Sequence, residues 1–257
     1  MVINRIIPCV LYSNGGLVKT IQFKSPNYIG DPINSLKLFN DKGVDELLFI
    51  DIDASKKNTP PDLKLVGEIA SECFMPLTYG GGVKDLQTIE KLLKLGVEKI
   101  AINSAFISDN SLCQSAVKEF GSSTIIGSID VKKNIFGKYK VFDHRKGKTT
   151  NNNPIQYARQ LEERGVGEIF LNNVDCEGTM KGFDLNLIKM ISDVVNVPII
   201  PCGGAGSLSD VASVFKQINT TAVAAGSIFV YTGKYNAVLI NFPNESNIKE
   251  IIQPYGI

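Results

Sequence analysis

The chain has 257 residues, with 27 Lys or Arg against 26 Asp or Glu and a net charge of +1. Its length is close to the ~250 residues of a closed (β/α)8 barrel, and so even a balance gives no long-range field to draw in nucleic acid or an anionic membrane. No stretch approaches the ~20 consecutive apolar residues of a membrane span, and the opening Met1-Val2-Ile3-Asn4-Arg5 lacks the apolar run of a signal peptide; a cytoplasmic protein is expected.

Along the chain, short β-branched runs alternate with longer segments of helical period, the pattern of βα units around a parallel sheet. Strands are expected over 5–11, 46–51, 76–80, 99–103, 124–130, 168–173, 198–202 and 221–225. Between them lie helical patterns such as Leu86, Ile89, Leu92, Leu93 and, further on, Leu185, Leu187, Ile188, Ile191. Asp85 and Asp184 stand at their starts as caps or first-turn acids. Two connections, 12–31 and 131–153, are long for a compact domain, and long loops of that kind are usually lids or binding segments.

The second long connection contains an alternating stretch over 136–142 that reads as a small hairpin, in a region with seven Lys or Arg. Such a basic loop either covers phosphates or is simply solvated. His144, the only histidine, lies here without a Ser, Cys or carboxylate partner identifiable by spacing. The five cysteines, Cys9, Cys73, Cys113, Cys176 and Cys202, are odd in number and show no Cys-x-x-Cys spacing. They read as reduced packing residues rather than a disulfide frame or a zinc site.

Shifting residues 43–107 forward by 122 positions makes the chain read itself again without a gap: Gly43-Val44-Asp45-Glu46-Leu47 falls on Gly165-Val166-Gly167-Glu168-Ile169. Met75-Pro76-Leu77 falls on Val197-Pro198-Ile199, Gly81-Gly82 on Gly203-Gly204, and Ala105 on Ser227. One register over so long a span argues for two copies of a half-domain. The expectation is an α/β fold, a (β/α)8 TIM barrel built from two duplicated half-barrels, forming a single domain over 1–257 with halves of roughly 1–122 and 123–257.

The glycines at the strand ends carry chemistry as well as turns. Gly80-Gly81-Gly82 follows the third expected strand and Gly203-Gly204-Ala205-Gly206 the seventh. Glycine lets backbone N–H groups approach an anion closely, and a following helix adds its positive end. The next strands end in Asn103-Ser104 and Gly226-Ser227, again before helix starts. Two such cradles, one per half, suit a small molecule with a phosphate at each end.

These residues resemble the cyclase subunit of imidazole glycerol phosphate synthase, from histidine biosynthesis. The resemblance spans nearly the whole chain, through Arg5-Ile6-Ile7-Pro8-Cys9, Val18-Lys19, Gly30-Asp31-Pro32, Asp45-Glu46-Leu47, Pro76-Leu77-Thr78-Tyr79-Gly80-Gly81-Gly82, Ile102-Asn103-Ser104-Ala105, Asp130, Asp175-Cys176-Glu177-Gly178-Thr179 and Gly203-Gly204-Ala205-Gly206. It implies a bisphosphate ligand held by Lys19, Gly81, Gly82, Asn103, Ser104, Gly178, Gly203, Gly204, Gly226 and Ser227. It also implies ammonia delivered by a separate glutaminase subunit in a heterodimer. Nothing in the sequence signals a metal, nucleotide cofactor or flavin.

The family's ring closure uses two aspartates, at the ends of strands one and five. Asp130 matches the second, and the first falls on Leu11. Leucine cannot move a proton, and a positioned acid or base contributes roughly a hundred- to ten-thousand-fold in rate. Asp51 is the possible helper, with Asp53, Asp175 and Glu177 also at strand ends. By contrast Arg5, Glu46, Lys99 and Glu168 match the charged ring that gates ammonia entry in the family; the alternative is that two positive and two negative charges simply pair and plug the bottom of the barrel.

Losing the acid while keeping the ring resembles a paralogue group of the cyclase that assists acetamidino (amidine) formation on surface-polysaccharide or flagellin sugars, with a third amidating enzyme. Two other readings stand beside it: a working cyclase of histidine biosynthesis, and a non-catalytic scaffold that activates a glutaminase.

Overall fold

The computed structural model describes residues 4–244 and 246–248; of the domain expected over 1–257, positions 1–3, 245 and 249–257 lie outside the described residues. Eight parallel strands form the barrel: β1 (Arg5–Ser13), β2 (Leu47–Asp51), β3 (Leu77–Gly80), β4 (Lys99–Ile102), β5 (Ile125–Lys133), β6 (Glu168–Asn173), β7 (Ile199–Cys202) and β8 (Ala222–Ala225). Ladders join them in sequence from β1 to β7, and β8 returns to β1 with Arg5 opposite Ala222 and Pro8 opposite Ala225. β7 and β8 run side by side to close the ring. At their base the Thr220 hydroxyl donates to the Ile199 carbonyl at 2.5 Å.

Strand alternation divides the apolar side chains into two cores. Ile7, Cys9, Leu48, Ala101, Ile126, Phe170, Ile200, Ala222 and Ala224 fill the barrel interior as one buried cluster, while Ile6, Val10, Leu47, Phe49, Ile125 and Ile169 belong to the larger cluster with the surrounding helices. The interior is therefore packed side chains rather than an open pore, as expected of an eight-stranded barrel.

The duplication is visible in how helices begin. Asp62 caps the helix Leu63–Glu72 and Asp184, 122 positions later, caps Leu185–Ser192. Asp85 caps Leu86–Lys94, and its counterpart Ser207 caps Leu208–Gln217 in a reciprocal box with Asp210. Each such cap contributes about 1 kcal/mol by satisfying an otherwise orphaned backbone N–H.

The two long connections are not irregular loops. The first forms an antiparallel hairpin, Gly16–Ile21 with Lys24–Gly30, whose first strand pairs with the end of β1. Its two-residue turn, Gln22-Phe23, has positive φ at both positions (54° and 63°), the backbone of a type I′ turn. In the second, residues 136–138 make the turn rather than a strand, and Tyr139–Asp143 runs back against an extended β5, Val131 opposite Val141. The hairpin expected over 136–142 thus begins earlier, on β5 itself.

Candidate functional site

A cleft opens at the C-terminal ends of the strands. Every residue expected to hold phosphate lines it: Lys19, Gly81, Gly82, Asn103, Ser104, Gly178, Gly203, Gly204, Gly226 and Ser227. Leu11, Asp51 and Asp130 line it too. Both glycine turns therefore face one cavity at one rim.

The glycines have packing reasons as well. A Cβ on Gly81 would strike the carbonyl of Asp51, and one on Gly203 would lie 2.7 Å from the carbonyl of Asn173, its repeat counterpart. Both glycines have positive φ, 120° and 93°, which side chains disfavour. Gly226 makes room for another group: a Cβ there would collide with the Lys19 ammonium. Lys19 reaches in from the first hairpin, buried, and donates to the Cys9 carbonyl at 2.9 Å. Its cation thus stands beside Gly226. Gly178 is packed against the same hairpin, where a Cβ would meet the Thr20 carbonyl.

Asp130 is buried on β5, which lies between the strands that lead into the two glycine turns. Its carboxylate accepts from Asn103 Nδ2 at 2.7 Å and from Asn172 Nδ2 at 3.3 Å. Burial pushes its pKa up to about 7, more than these two hydrogen bonds pull it down, with a smaller upward push from Glu177. An acid tuned near neutrality both gives and takes a proton at working pH. Asn103 Oδ1 and Asn172 Oδ1 are buried and find no hydrogen-bond partner in the protein. They leave a pair of acceptors beside the acid. Asn172 carries little signal in the sequence beyond the fact that Asn172-Asn173 ends the strand next to that of Asp130.

Leu11 lies on β1 at the cleft, its backbone in register with Ile50 of β2. With Ile50, on the neighbouring strand, it adds apolar surface to the cleft lining. Asp51 is held differently from a free acid: its Oδ1 accepts from the backbone N–H groups of Asp53 and Ala54 at 2.9 and 3.0 Å. Burial raises its pKa, and those two bonds oppose the rise. Glu177, another cleft carboxylate, is likewise raised by burial against bonds from Phe23 N–H, Thr20 hydroxyl and the nearby Lys19.

The first hairpin is folded across the cleft. Thr20 and the Phe23 N–H both donate to Glu177 Oε2, at 3.0 and 3.1 Å. The Phe23 ring meets Phe142 and His144 edge-on, and His144 Nε2 lies 2.8 Å from the Ile52 carbonyl. His144 thus ties loops together. Cys9 and Cys202 both line the cleft as free thiols, a placement that the cysteine count alone did not disclose.

At the opposite rim, where the strands begin, Arg5, Glu46, Lys99 and Glu168 form a closed cycle of alternating charge. Arg5 pairs with Glu46 at 2.5 Å and with Glu168; Lys99 reaches Glu168 at 2.8 Å and Glu46 at 3.4 Å. Glu46 also accepts from the Thr78 hydroxyl at 3.3 Å. Each charge has two opposite neighbours, which offsets the cost of partial burial. Among the described residues no helix is long and apolar enough to cross a membrane.

Residues 5–236 match the family described as Histidine biosynthesis protein. A Pseudomonas aeruginosa protein provisionally named imidazole glycerol phosphate synthase subunit hisF2 is 49% identical over 248 residues, covering 96% of this chain and 99% of that protein. A Vibrio vulnificus protein, provisionally named subunit hisF3 of the same synthase, is 42% identical over 98% of each chain. Subunit HisF of Petrotoga mobilis is 40% identical over 238 residues, 92% of this chain and 94% of that one. The chain belongs to the histidine biosynthesis protein family and, within it, stands among the relatives of the imidazole glycerol phosphate synthase cyclase subunit.

Proposed function

We propose that this chain is the synthase-side barrel of a glutamine-dependent nitrogen-transfer system, diverted from imidazole ring closure to acetamidino formation on a surface-polysaccharide or flagellin sugar. In this reading a glutaminase docks over the Arg5, Glu46, Lys99 and Glu168 cycle, ammonia passes that gate, and a ligand with two phosphates is held between the Gly81-Gly82 and Gly203-Gly204 turns. Lys19 neutralises the phosphate at the second turn. Asp130 moves a proton where nitrogen meets its acceptor, and a third enzyme completes the amidine.

One observation carries the diversion: Leu11, on the cleft wall, leaves the end of β1 without an acid while both glycine turns line the cleft and the four charges at the other rim pair in a closed cycle. Ring closure needs a proton taken and a proton given at two places, and Asp130 serves one of them. Purified chain supplied with the bisphosphate ribotide substrate and ammonium salt tests the proposal. The expected result is binding of the ribotide with little or no imidazole glycerol phosphate formed. Rapid ring closure would overturn it in favour of a working cyclase. Asp51 favours that second reading, as a cleft carboxyl with a raised pKa. Absence of any bisphosphate binding would instead leave a scaffold that serves only its glutaminase.

A further inference from the structure

The arm that grows from β5 ends in two large apolar side chains held out in water: Ile135 is 93% and Phe136 77% exposed. The turn that carries them is firmly built. Asn134 Oδ1 accepts from the backbone N–H groups of Phe136 and Lys138, both at 3.0 Å, while Asn134 N–H donates to the Lys138 carbonyl and Gly137 N–H to the Asn134 carbonyl, both at 2.9 Å. Gly137 supplies the positive φ, 73°, that closes the turn. Asn134 thus fixes Ile135-Phe136 as a rigid knob, and a fixed apolar group in water is what a recognition surface offers a partner.

The knob stands in a concentrated positive field. Residues 132–148 contain seven Lys or Arg and a single acid, Asp143. Asp143 is fully buried and already bound by Arg145 at 3.0 Å. The arm therefore holds a surplus of six positive charges, and since the chain's net charge is +1 the remainder carries −5. Lys133, Lys138, Lys146 and Lys148 are exposed on it, Lys133 with Asp184 at 3.8 Å and Lys146 with Asp143 at 3.9 Å. A negative remainder disfavours an anionic bilayer, and the even overall balance gives no long-range pull toward one.

We propose that this arm is a docking knob for a second folded protein, one that presents an apolar pocket rimmed by Asp and Glu. The arm is rooted beside the cleft, between Asp130 and His144, both of which line it, and Phe142 backs Phe23 of the first hairpin. A protein seated there stands at the cleft mouth, at the far end of the barrel from the Arg5 and Glu46 rim, over which the proposed function seats the glutaminase, so on that reading it is a different protein. If the chain serves acetamidino formation, the docked protein is the enzyme that receives the nitrogen; that naming rests on the proposed function, whereas the docking itself rests on the arm.

A photo-crosslinking phenylalanine at position 136 of the full chain, irradiated in extract of the source cells, identifies the partner, which is then purified and titrated against the unmodified chain. The expected result is a one-to-one complex whose affinity falls about tenfold or more in Ile135→Ser/Phe136→Ser, as for loss of a central aromatic anchor. It should fall about as far in Lys133→Glu/Lys138→Glu, mainly through slower association and with a smaller salt dependence. Phe74→Ser, an exposed aromatic elsewhere on the chain, should leave the affinity unchanged. Inorganic phosphate binding should be equal in all variants, so failure of the cradle reading shows separately. Four results overturn the proposal: no crosslinked protein, crosslinking to the glutaminase or to a second copy of this chain, unchanged affinity in both arm variants, or arm-dependent binding to phosphatidylglycerol vesicles.

Discussion

Asp51 and Asn173 hold the same turn in the two halves of the barrel. Asp51 Oδ1 accepts from the N–H groups of Asp53 and Ala54, and Asn173 Oδ1 accepts from those of Asp175 and Cys176, at 2.9 and 3.3 Å. Both carbonyls lie where a Cβ on the next strand's glycine, Gly81 or Gly203, would fall. An amide does in one half what a carboxylate does in the other.

Asp51→Asn therefore keeps the turn and removes only the acid. Its urea unfolding free energy should change by less than about 1 kcal/mol. If Asp51 replaces the acid missing at Leu11, the same variant loses ring closure at unchanged stability; with Leu11 uncompensated, there is no such activity to lose.

For Asp130 the prediction concerns pH. Burial holds its proton up to about 7 in the folded chain, whereas the unfolded chain releases it near ~3.9. Between those values the folded state binds more protons, so this group's contribution to stability is intact below about pH 4 and declines as pH rises to about 7. Asp130→Asn removes that decline. Denaturation series at stepped pH should show the variant gaining on the parent between about pH 4 and 7, by on the order of a few kcal/mol at the upper end.

Gly226→Ala tests how Lys19 is seated. Gly226 has an ordinary φ of −121°, so the backbone accepts alanine, and the collision falls on the flexible end of Lys19 and on the Cys9 carbonyl. Titration with inorganic phosphate should show affinity reduced about tenfold, comparable with Lys19→Met, since a hydrogen bond to a charged group is worth about 1.5–3 kcal/mol. Equal affinity in both variants and parent would remove Lys19 from the second cradle.

Lys99→Met opens the charge cycle and leaves Glu46 and Glu168 sharing Arg5 alone. Partial exposure of Lys99, 21% at its side chain, limits the stability cost to about 1–3 kcal/mol. With the glutaminase bound, nitrogen transfer from glutamine should drop while transfer from added ammonium salt persists; equal loss from both sources would make the cycle a structural plug.

Much of the barrel is readable from residues alone. All eight barrel strands fall where β-branched runs are bounded by turn residues, and Asp85 and Asp184 cap their helices through backbone N–H groups of Thr88 and Leu187. The shift of 122 is visible because both halves solve the same turn and cap problems with similar residues. The first hairpin is not visible: Gln22-Phe23 lacks the Asn-Gly or Gly signal of a type I′ turn, and its conformation is held by Glu177 and the Phe142 and His144 rings, which are remote in sequence. Asn172 and the Cys9 and Cys202 thiols likewise acquire meaning only when strands far apart in the chain share one cleft.

The most direct measurement compares Leu11→Asp with the parent chain, each supplied with the bisphosphate ribotide and ammonium salt, by the rate of imidazole glycerol phosphate formation. A diverted barrel predicts a near-inactive parent, a variant faster by about a hundredfold or more, and similar ribotide affinity in both. A parent that closes the ring efficiently, with no gain on restoring the aspartate, would contradict it.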